Sequence, residues 1–148
     1  MTKHYRQEDN EIHMEELEVG DVVITVSRTI SASDSEQFAV ITGDPLPQFL
    51  SMKRAQERGF RDQLVPGYLT LSLAAGLRHH SGLTSHVVAF MGMDKMRLLA
   101  PVYVGDAIKA QIELLSKRET KRPDRVICIY KWQIINQDEK AVAEGENT

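Results

Sequence analysis

The segment from residue 67 to residue 77 constrains the fold most, because it is apolar on nearly every side of a helix. It follows Pro66 and begins at Gly67, and its apolar residues are Tyr68, Leu69, Leu71, Leu73, Ala74, Ala75 and Leu77. A surface helix shows one apolar stripe and a polar opposite face instead. We therefore predict a central helix that begins at Gly67 and is buried on most of its surface.

The chain after Gly82 changes to a strand-like pattern. Between residues 107 and 117, apolar and polar residues alternate, which is the period of a sheet with one wet face. We predict further strands over 87–93, 96–99, 125–135 and 140–145, the last of them shortened by the end of the sequence. Polar turns at 119–124 and 136–139 would make these strands an antiparallel meander.

The first half of the chain predicts one strand and two short helices. Residues 22–30 are rich in Val, Ile and Thr and favour strand one. Ser33 and Glu36 fit a capping box at the start of a helix, which must end near Gly43 because prolines follow. We expect a rigid loop over 43–50, and then a short polar helix over 51–58 with Ser51 as its cap.

Charge and composition exclude several classes of protein. The 148 residues carry 18 Lys and Arg against 21 Asp and Glu, so the net charge is -3, and no basic surface for nucleic acid is indicated. The sequence shows neither a signal peptide nor an apolar run of membrane-spanning length. The single cysteine, Cys128, has no partner for an intramolecular disulfide. We expect a cytoplasmic protein with a polar N-terminal arm over 1–16 and one domain over 17–148.

The order of these elements predicts an α+β fold. An antiparallel sheet with one apolar face needs a cover, and an apolar helix needs burial on most sides. Wrapping the sheet around the helix from residue 67 satisfies both requirements. This is a single hot-dog domain, an antiparallel sheet around a central helix.

Four stretches of the sequence resemble the MaoC-like dehydratase and (R)-specific enoyl-CoA hydratase family. They occur in the expected order and cover roughly residues 17 to 137, and they are Leu17-Glu18-Val19-Gly20-Asp21, Phe38-Ala39-Val40-Ile41-Thr42-Gly43-Asp44, Pro66-Gly67-Tyr68-Leu69-Thr70-Leu71-Ser72-Leu73 and Ala100-Pro101-Val102-Tyr103-Val104-Gly105-Asp106. Four landmarks in order are more specific than one short motif. The resemblance implies a hot-dog fold that binds an acyl thioester such as acyl-CoA.

The resemblance also implies site residues, with three departures from the family pattern, one of which is Pro66 at a position that is often His in the family. The hydratase loop of the family reads Gly-Asp-x-Asn-Pro-x-His, and residues 43–49 here match it at Asp44 and Pro47. Leu46 replaces the asparagine, and Phe49 replaces the histidine that shares catalysis with the aspartate. The family also polarises the thioester carbonyl with the backbone N–H of the glycine that Gly67 matches.

By this resemblance Asp44 and Gly67 are the candidate catalytic residues, and Pro47, Phe49 and Tyr68 are candidate substrate-binding residues. Asp44 is also an ordinary turn residue between a glycine and a proline. Since phenylalanine cannot transfer a proton, three activities stay open. They are a hydratase or dehydratase with a degenerate dyad, a thioesterase that uses Asp44, and a non-catalytic acyl-CoA-binding or structural subunit.

Other groups receive simpler interpretations. Lys53, Arg54, Arg58 and Arg61 suit either the phosphates of CoA or a solvated helix face. Met91, Met93 and Met96 are expected in the core or a pocket wall. His86 carries no catalytic prediction, and with no His or Cys cluster at ligand spacing we predict no metal. The ligand is then the CoA thioester, without a further cofactor.

An exposed sheet edge predicts a homodimer, which the family forms with its pocket between subunits.

Overall fold

The structure, a computed structural model, describes residues 1–6 and 12–148. Residues 7–11 of the predicted arm lie outside the described residues. The remainder of the arm belongs to the fold. Strand β1 (His4–Arg6) pairs in parallel with β2 (Val22–Ile24), and Ile12 and Met14 are buried in the hydrophobic core. The predicted arm over residues 1–16 therefore supplies a strand at one sheet edge and two core side chains.

The described strands form one sheet in the order β1-β2-β5-β6-β7-β4, with β3 also paired to β5. All pairs except β1 with β2 are antiparallel. The bounds are β2 (Val22–Ile24), β3 (Arg28–Thr29), β4 (Met93–Leu98), β5 (Ala107–Glu119), β6 (Val126–Asn136) and β7 (Ala141–Asn147). The strand predicted over 22–30 is thus two short strands separated by residues 25–27.

The central helix is α4 (Gly67–His80), and it begins at the residue that the sequence predicted. Leu69, Ala74 and Leu77 are buried against the sheet, whose inner face carries the alternating apolar residues of β5. Ile108, Ala110, Ile112 and Leu114 are fully buried, while the polar residues between them are partly exposed. The sheet wrapped around a helix confirms the predicted hot-dog fold.

Helix α1 (Ala32–Thr42) begins two residues earlier than predicted. Ser31 is its N-cap, and its Oγ accepts a hydrogen bond from the backbone N–H of Asp34 at 3.1 Å. The Asp34 carboxylate in turn accepts from the backbone N–H of Ser31 at 2.9 Å. The capping box predicted at Ser33 and Glu36 was therefore wrong. The predicted end of the helix is confirmed, because Gly43 closes it in the left-handed conformation with φ 67°.

Residues 43–50 include a short helix, α2 (Pro47–Leu50), where the sequence predicted only a loop. Helix α3 (Met52–Gln56) follows, and its N-cap Ser51 accepts from the backbone N–H of Arg54 as expected.

The strand predicted over 87–93 was wrong. Residues 87–92 form no strand, and Val88, Phe90 and Met91 are exposed. Met91 and Gly92 are held by backbone hydrogen bonds with Thr148 instead. Met93 is also exposed, whereas Met96 packs against the core. The apolar residues of this segment therefore face outward in a single chain.

Candidate functional site

An open cavity lies at the amino end of α4. Its volume is about 340 Å³, and Gly67 forms part of its wall. Apart from the hydroxyl of Thr70, the side chains in its wall are apolar, and the lining residues are Phe60, Leu64, Val65, Gly67, Thr70, Leu98, Leu99, Ala100, Pro101, Val102 and Val142. Small-molecule sites are typically clefts of this size that are lined mostly by apolar side chains with a few polar groups.

Two residues of α4, Gly67 and Thr70, line this cavity, and Gly67 is the first residue of the helix. Pro66 is the N-cap and provides no side-chain cap. The first N–H groups of a helix have no acceptor inside the helix, and the helix dipole makes this end positive. Among the described residues, no acceptor is bonded to the Gly67 N–H. This amide can therefore donate to an oxygen that gains negative charge.

The loop that resembles the family's catalytic loop is anchored beside the cavity wall. The backbone carbonyl of Phe49 accepts from Ser35 Oγ at 3.0 Å and from Gln63 Nε2 at 2.8 Å. The backbone N–H of Leu64, a cavity residue, donates to the carbonyl of Gln48 at 3.0 Å. Since Ser35 and Gln63 are buried, these bonds hold the backbone of residues 48 and 49 in one place.

Asp44 lies at the start of this loop and is exposed in the single chain. Its backbone N–H donates to the carbonyl of Ala39 at 3.1 Å, which fixes the position of its Cα after Gly43. Within the described part of the chain, its carboxylate accepts no hydrogen bond. In one copy of the chain, the Asp44 side chain is therefore in contact with solvent and has no side-chain partner among the described residues.

The structure brings only one of the candidate site residues into the cavity wall. Asp44, Pro47, Phe49 and Tyr68 are absent from the described residues that line it, and Gly67 is present. Phe49 is half-buried and Pro47 is exposed. Tyr68 is 79% exposed although it belongs to the first turn of α4. One chain alone therefore does not assemble the candidate residues around a single cavity.

Several exposed apolar side chains flank Asp44 in the sequence. Val40 and Ile41 of α1 precede it, and Leu46, Leu50 and Met52 follow it. Tyr68, in the first turn of α4, is exposed as well. Exposed apolar side chains that form a continuous surface mark an interaction site, so these residues are candidates for contact with a partner.

The arginines after the loop are occupied within the chain. Arg54 forms an ion pair with Glu57, and Arg58 donates to the side-chain oxygen of Gln48. Arg61 pairs with Asp106 at 3.3 Å and stacks on the ring of Tyr103. These contacts favour the interpretation of the group as a helix surface over that of a preformed phosphate site.

Two other sequence candidates have structural contacts. His86 forms a hydrogen bond with Glu15 through its Nδ1 and stacks on the ring of His13. Cys128 is half-buried, and burial raises the pKa of its thiol.

In residues 1–6 and 12–148, the side chains form no group of three or more His, Cys, Asp or Glu suited to a metal ion. Over the same two ranges, no helix has the length and apolar character needed to cross a membrane.

Sequence reasoning missed most of the cavity wall. Phe60, Leu98 and Val142 come from three distant parts of the chain, and no local motif marks any of them. To predict Leu98 as a wall residue, one would need the order of strands in the sheet, because β4 reaches the start of α4 only through its pairing with β7.

The fold and site together define a hot-dog domain with an apolar cavity at the amino end of its central helix. The family model described as MaoC like domain matches residues 15–131. The chain belongs to this family.

Curated relatives and solved structures agree with this assignment. Protein MaoC from Klebsiella aerogenes is 35% identical over 113 residues, which are 76% of this chain and 33% of that protein. The chain therefore spans about a third of the length of this relative. The mitochondrial 3-hydroxyacyl-[acyl-carrier-protein] dehydratase FERN from Solanum lycopersicum is 30% identical, and the alignment covers 89% of this chain and 76% of the relative.

Two solved structures have the same fold at similar identity. The Archaeoglobus structure titled monoamine oxidase regulatory protein superposes with a TM-score of 0.81 at 26% identity, covering 99% of this chain and 94% of that one. The (R)-hydratase from A. caviae involved in PHA biosynthesis gives a TM-score of 0.73 at 26% identity, with 90% and 96% of the chains covered. The family thus includes relatives named as hydratases and dehydratases.

Proposed function

We propose that this protein is a lyase that adds water to an enoyl thioester, or removes it from a hydroxyacyl thioester, with CoA as the carrier. The observation that carries the proposal is the free N–H of Gly67 in the wall of an apolar cavity. An apolar cavity accepts an acyl chain, and an amide donor at a helix amino end stabilises the oxygen of its thioester. The named activities of the relatives support the same reaction class.

The reaction assigns separate roles to Gly67 and Asp44. In the hydration direction, the Asp44 carboxylate takes a proton from water while the water oxygen bonds to the β carbon. The electron pair of the double bond moves towards the thioester oxygen, which accepts a hydrogen bond from Gly67. The proton then passes from Asp44 to the α carbon, so that one water is added in total. A positioned acid–base group contributes about 100- to 10,000-fold to such a step.

Asp44 reaches this cavity, in our proposal, from a second copy of the chain. Asp44 and Gly67 do not share a cavity in one chain, and both stand beside exposed apolar side chains. A partner that covers this surface would remove water from around the Asp44 carboxylate. The protein would therefore act as a homodimer, and we place it in the cytoplasm on the evidence of its single unpaired cysteine.

Loss of enoyl-CoA absorbance over several acyl chain lengths tests this proposal. We expect the wild type to consume the conjugated thioester and Asp44→Asn to lose about 100-fold or more of kcat. Asp62→Asn is the matched control, because Asp62 is a carboxylate outside the loop. Unchanged absorbance with the wild type at high concentration would refute the proposal.

Mixing two inactive variants tests the shared site. Asp44→Asn and Gly67→Pro each damage one half of the machinery, and a mixed dimer keeps one site with both native halves if the halves come from different copies. Partial activity after mixing and subunit exchange is the expected result. Activity that stays absent, with mixed dimers demonstrated by mass, would show that each copy builds its own site.

A thioesterase is the second candidate, and the observation that favours it is Phe49 in the position of the family's histidine. A single carboxylate can activate water against a carbonyl held by the Gly67 N–H, which requires no second proton-transfer residue. Free thiol released from saturated acyl-CoA would identify this activity. If calorimetry finds acyl-CoA binding but neither reaction occurs, the chain is a non-catalytic binding subunit.

A further inference from the structure

Arg78 lies near the carboxyl end of α4 and points into the interior of the fold. The carbon of its guanidinium group is 4.9 Å from the ring centroid of Trp132 and 5.4 Å from that of Tyr130. Both aromatic residues are buried on β6. A guanidinium over aromatic faces is attracted by their electron density, and this attraction grows when water is excluded.

The guanidinium group of Arg78 lacks a counter-ion among the described residues. Arg78 is half-buried, and burial lowers the pKa of its guanidinium to about 10. In residues 1–6 and 12–148 no carboxylate forms an ion pair with it, and its buried Nε–H donates to no acceptor. Buried arginines are otherwise paired, because an unpaired buried charge is costly.

Two buried residues on the sheet face that Arg78 covers also have unpaired polar atoms. Asn147 is 1% exposed, and it stands directly opposite Tyr130 in the pairing of β6 with β7. Directly paired residues point to the same face of a sheet, so Asn147 points to the face that carries Arg78. Within the described part of the chain, Trp132 Nε1 and both side-chain polar atoms of Asn147 have no hydrogen-bond partner.

We propose that Arg78, Trp132 and Asn147 form a binding site for a carboxylate. The three side chains offer three unpaired N–H donors, and one of them carries a positive charge. A carboxylate accepts several hydrogen bonds and matches the planar guanidinium. One bound carboxylate would therefore accept hydrogen bonds from donors that are costly to leave without a partner.

The site is separate from the cavity at Gly67. None of its three residues lines that cavity. Arg78 follows Gly67 by eleven residues in one helix, which places the two about 16 Å apart along the helix axis. The carboxylate can therefore come from a free organic acid, or from the far end of an acyl chain whose thioester lies at Gly67. Only the second source depends on the proposed function.

The fluorescence of Trp132 reports directly on this site, because the sequence contains one tryptophan. The probes are acetate, a series of unbranched dicarboxylates, and pairs of acyl-CoA thioesters that end in a carboxylate or in a methyl group. We expect a saturable change with at least one carboxylate probe and none with the methyl-ended thioesters. In Arg78→Met the dissociation constant should rise roughly tenfold or more. Arg118→Met, which removes an exposed arginine, should bind as the wild type does.

A second variant keeps the test informative if Arg78→Met does not fold. Asn147→Asp has nearly the same shape and supplies a carboxylate within the chain. We expect it to raise the melting temperature and to abolish binding of the external probes. Binding of free acids would identify the site as one for organic acids. A response only to carboxylate-ended thioesters would show that the site binds the far end of an acyl chain.

No saturable response to any carboxylate would overturn the proposal, and this is the outcome if water alone occupies the site. An equal response in wild type and Arg78→Met would overturn it as well. Both results would leave activity at Gly67 unaffected, because that activity is measured with methyl-ended substrates.

Discussion

Leu98 lies over the first residue of α4, so that a Cβ placed on Gly67 would come within 2.5 Å of Leu98 Cδ1. The two residues come from an edge strand and from the central helix, and they meet at the cavity. A side chain at residue 67 would therefore displace Leu98, whereas the free N–H of Gly67 does not depend on the side chain. Leu98 is 59% exposed, so its side chain can move away at little cost.

Gly67→Pro and Gly67→Ala separate the steric role of this position from its hydrogen bond. Both variants should be made together with Leu98→Ala, which removes the clash. Proline is well tolerated at the first position of a helix but has no N–H, whereas alanine retains it. We expect proline to lower kcat by about 100- to 1,000-fold relative to alanine, as for loss of one oxyanion donor. Equal rates in the two variants would show that the amide takes no part.

Leu98→Ala alone should shift the acyl chain preference of the enzyme. Removal of the side chain enlarges the cavity of about 340 Å³ beside Gly67. Each additional buried methylene contributes about 0.8 kcal/mol, so kcat/KM for longer chains should rise several-fold relative to short ones. Steady-state kinetics over a chain-length series measures the shift. Val126→Ala, an exposed position outside the cavity wall, should leave the series unchanged.

Phe49→His combined with Leu46→Asn restores the residue types of the family's loop. The backbone at residue 49 is held by bonds from Ser35 and Gln63 to its carbonyl, which do not depend on the side chain. A histidine placed there should raise the hydration rate by about 100- to 10,000-fold. Phe49→Leu with Leu46→Asn is the control and should gain nothing. A folded His variant with no gain would mean that the remaining site is not built for hydration.

The sequence predicted the elements whose burial pattern is local. In β5 the alternation of Ile108, Ala110, Ile112 and Leu114 gives the face of the sheet directly, and the structure confirms it. The apolar helix from Gly67 was predictable for the same reason. The cap of α1 was misplaced because Ser31 with Asp34 and Ser33 with Glu36 both fit the same spacing, and the pattern cannot rank two overlapping boxes.

The segment 87–91 shows where the pattern is ambiguous. Its valines and phenylalanine have the composition of a buried strand, but they are exposed in the chain. Apolar residues that contact a partner have the same composition as residues that contact a core, so composition alone cannot distinguish them. For the site, the position of Gly67 at the start of α4 was predictable, because a proline precedes it and an apolar run follows it. Its neighbours Phe60, Leu98 and Val142 depend on tertiary packing.

Stability should depend on the capping box at α1 and on pH. The hydrogen bond from the backbone N–H of Ser31, then that from its hydroxyl, and the charge of Arg28 lower the pKa of Asp34 below its ordinary value of 3.8. A lowered pKa in the folded state means that the carboxylate stabilises the fold fully above pH 4. This contribution is lost as the pH falls from there through the lowered value.

Denaturant melts between pH 7 and pH 2 measure this contribution. Ser31→Ala should reduce the free energy of unfolding at pH 7 by about 1 kcal/mol. Asp34→Asn should destabilise at pH 7 and approach the wild type at the acid end of the series. Asp124→Asn, in an exposed turn, is the control. A difference between Asp34→Asn and wild type that stays constant over the whole range would exclude the carboxylate charge as its cause.

The exposed segment 87–91 should be part of a dimer interface. Val87, Val88, Phe90 and Met91 are exposed beside β4, the edge strand of the described sheet. Charged residues on β4 itself, such as Lys95, disfavour pairing of this edge with a strand of another copy, which could continue from copy to copy. A contact between two copies through the apolar segment is therefore favoured. Analytical ultracentrifugation should find a dimer, and Phe90→Glu should weaken it at least tenfold because it buries an unpaired charge. Val126→Glu adds the same charge at an exposed strand residue elsewhere and should not. A wild type that sediments as a monomer at all concentrations would contradict both this contact and the proposed sharing of Asp44 and Gly67 between copies.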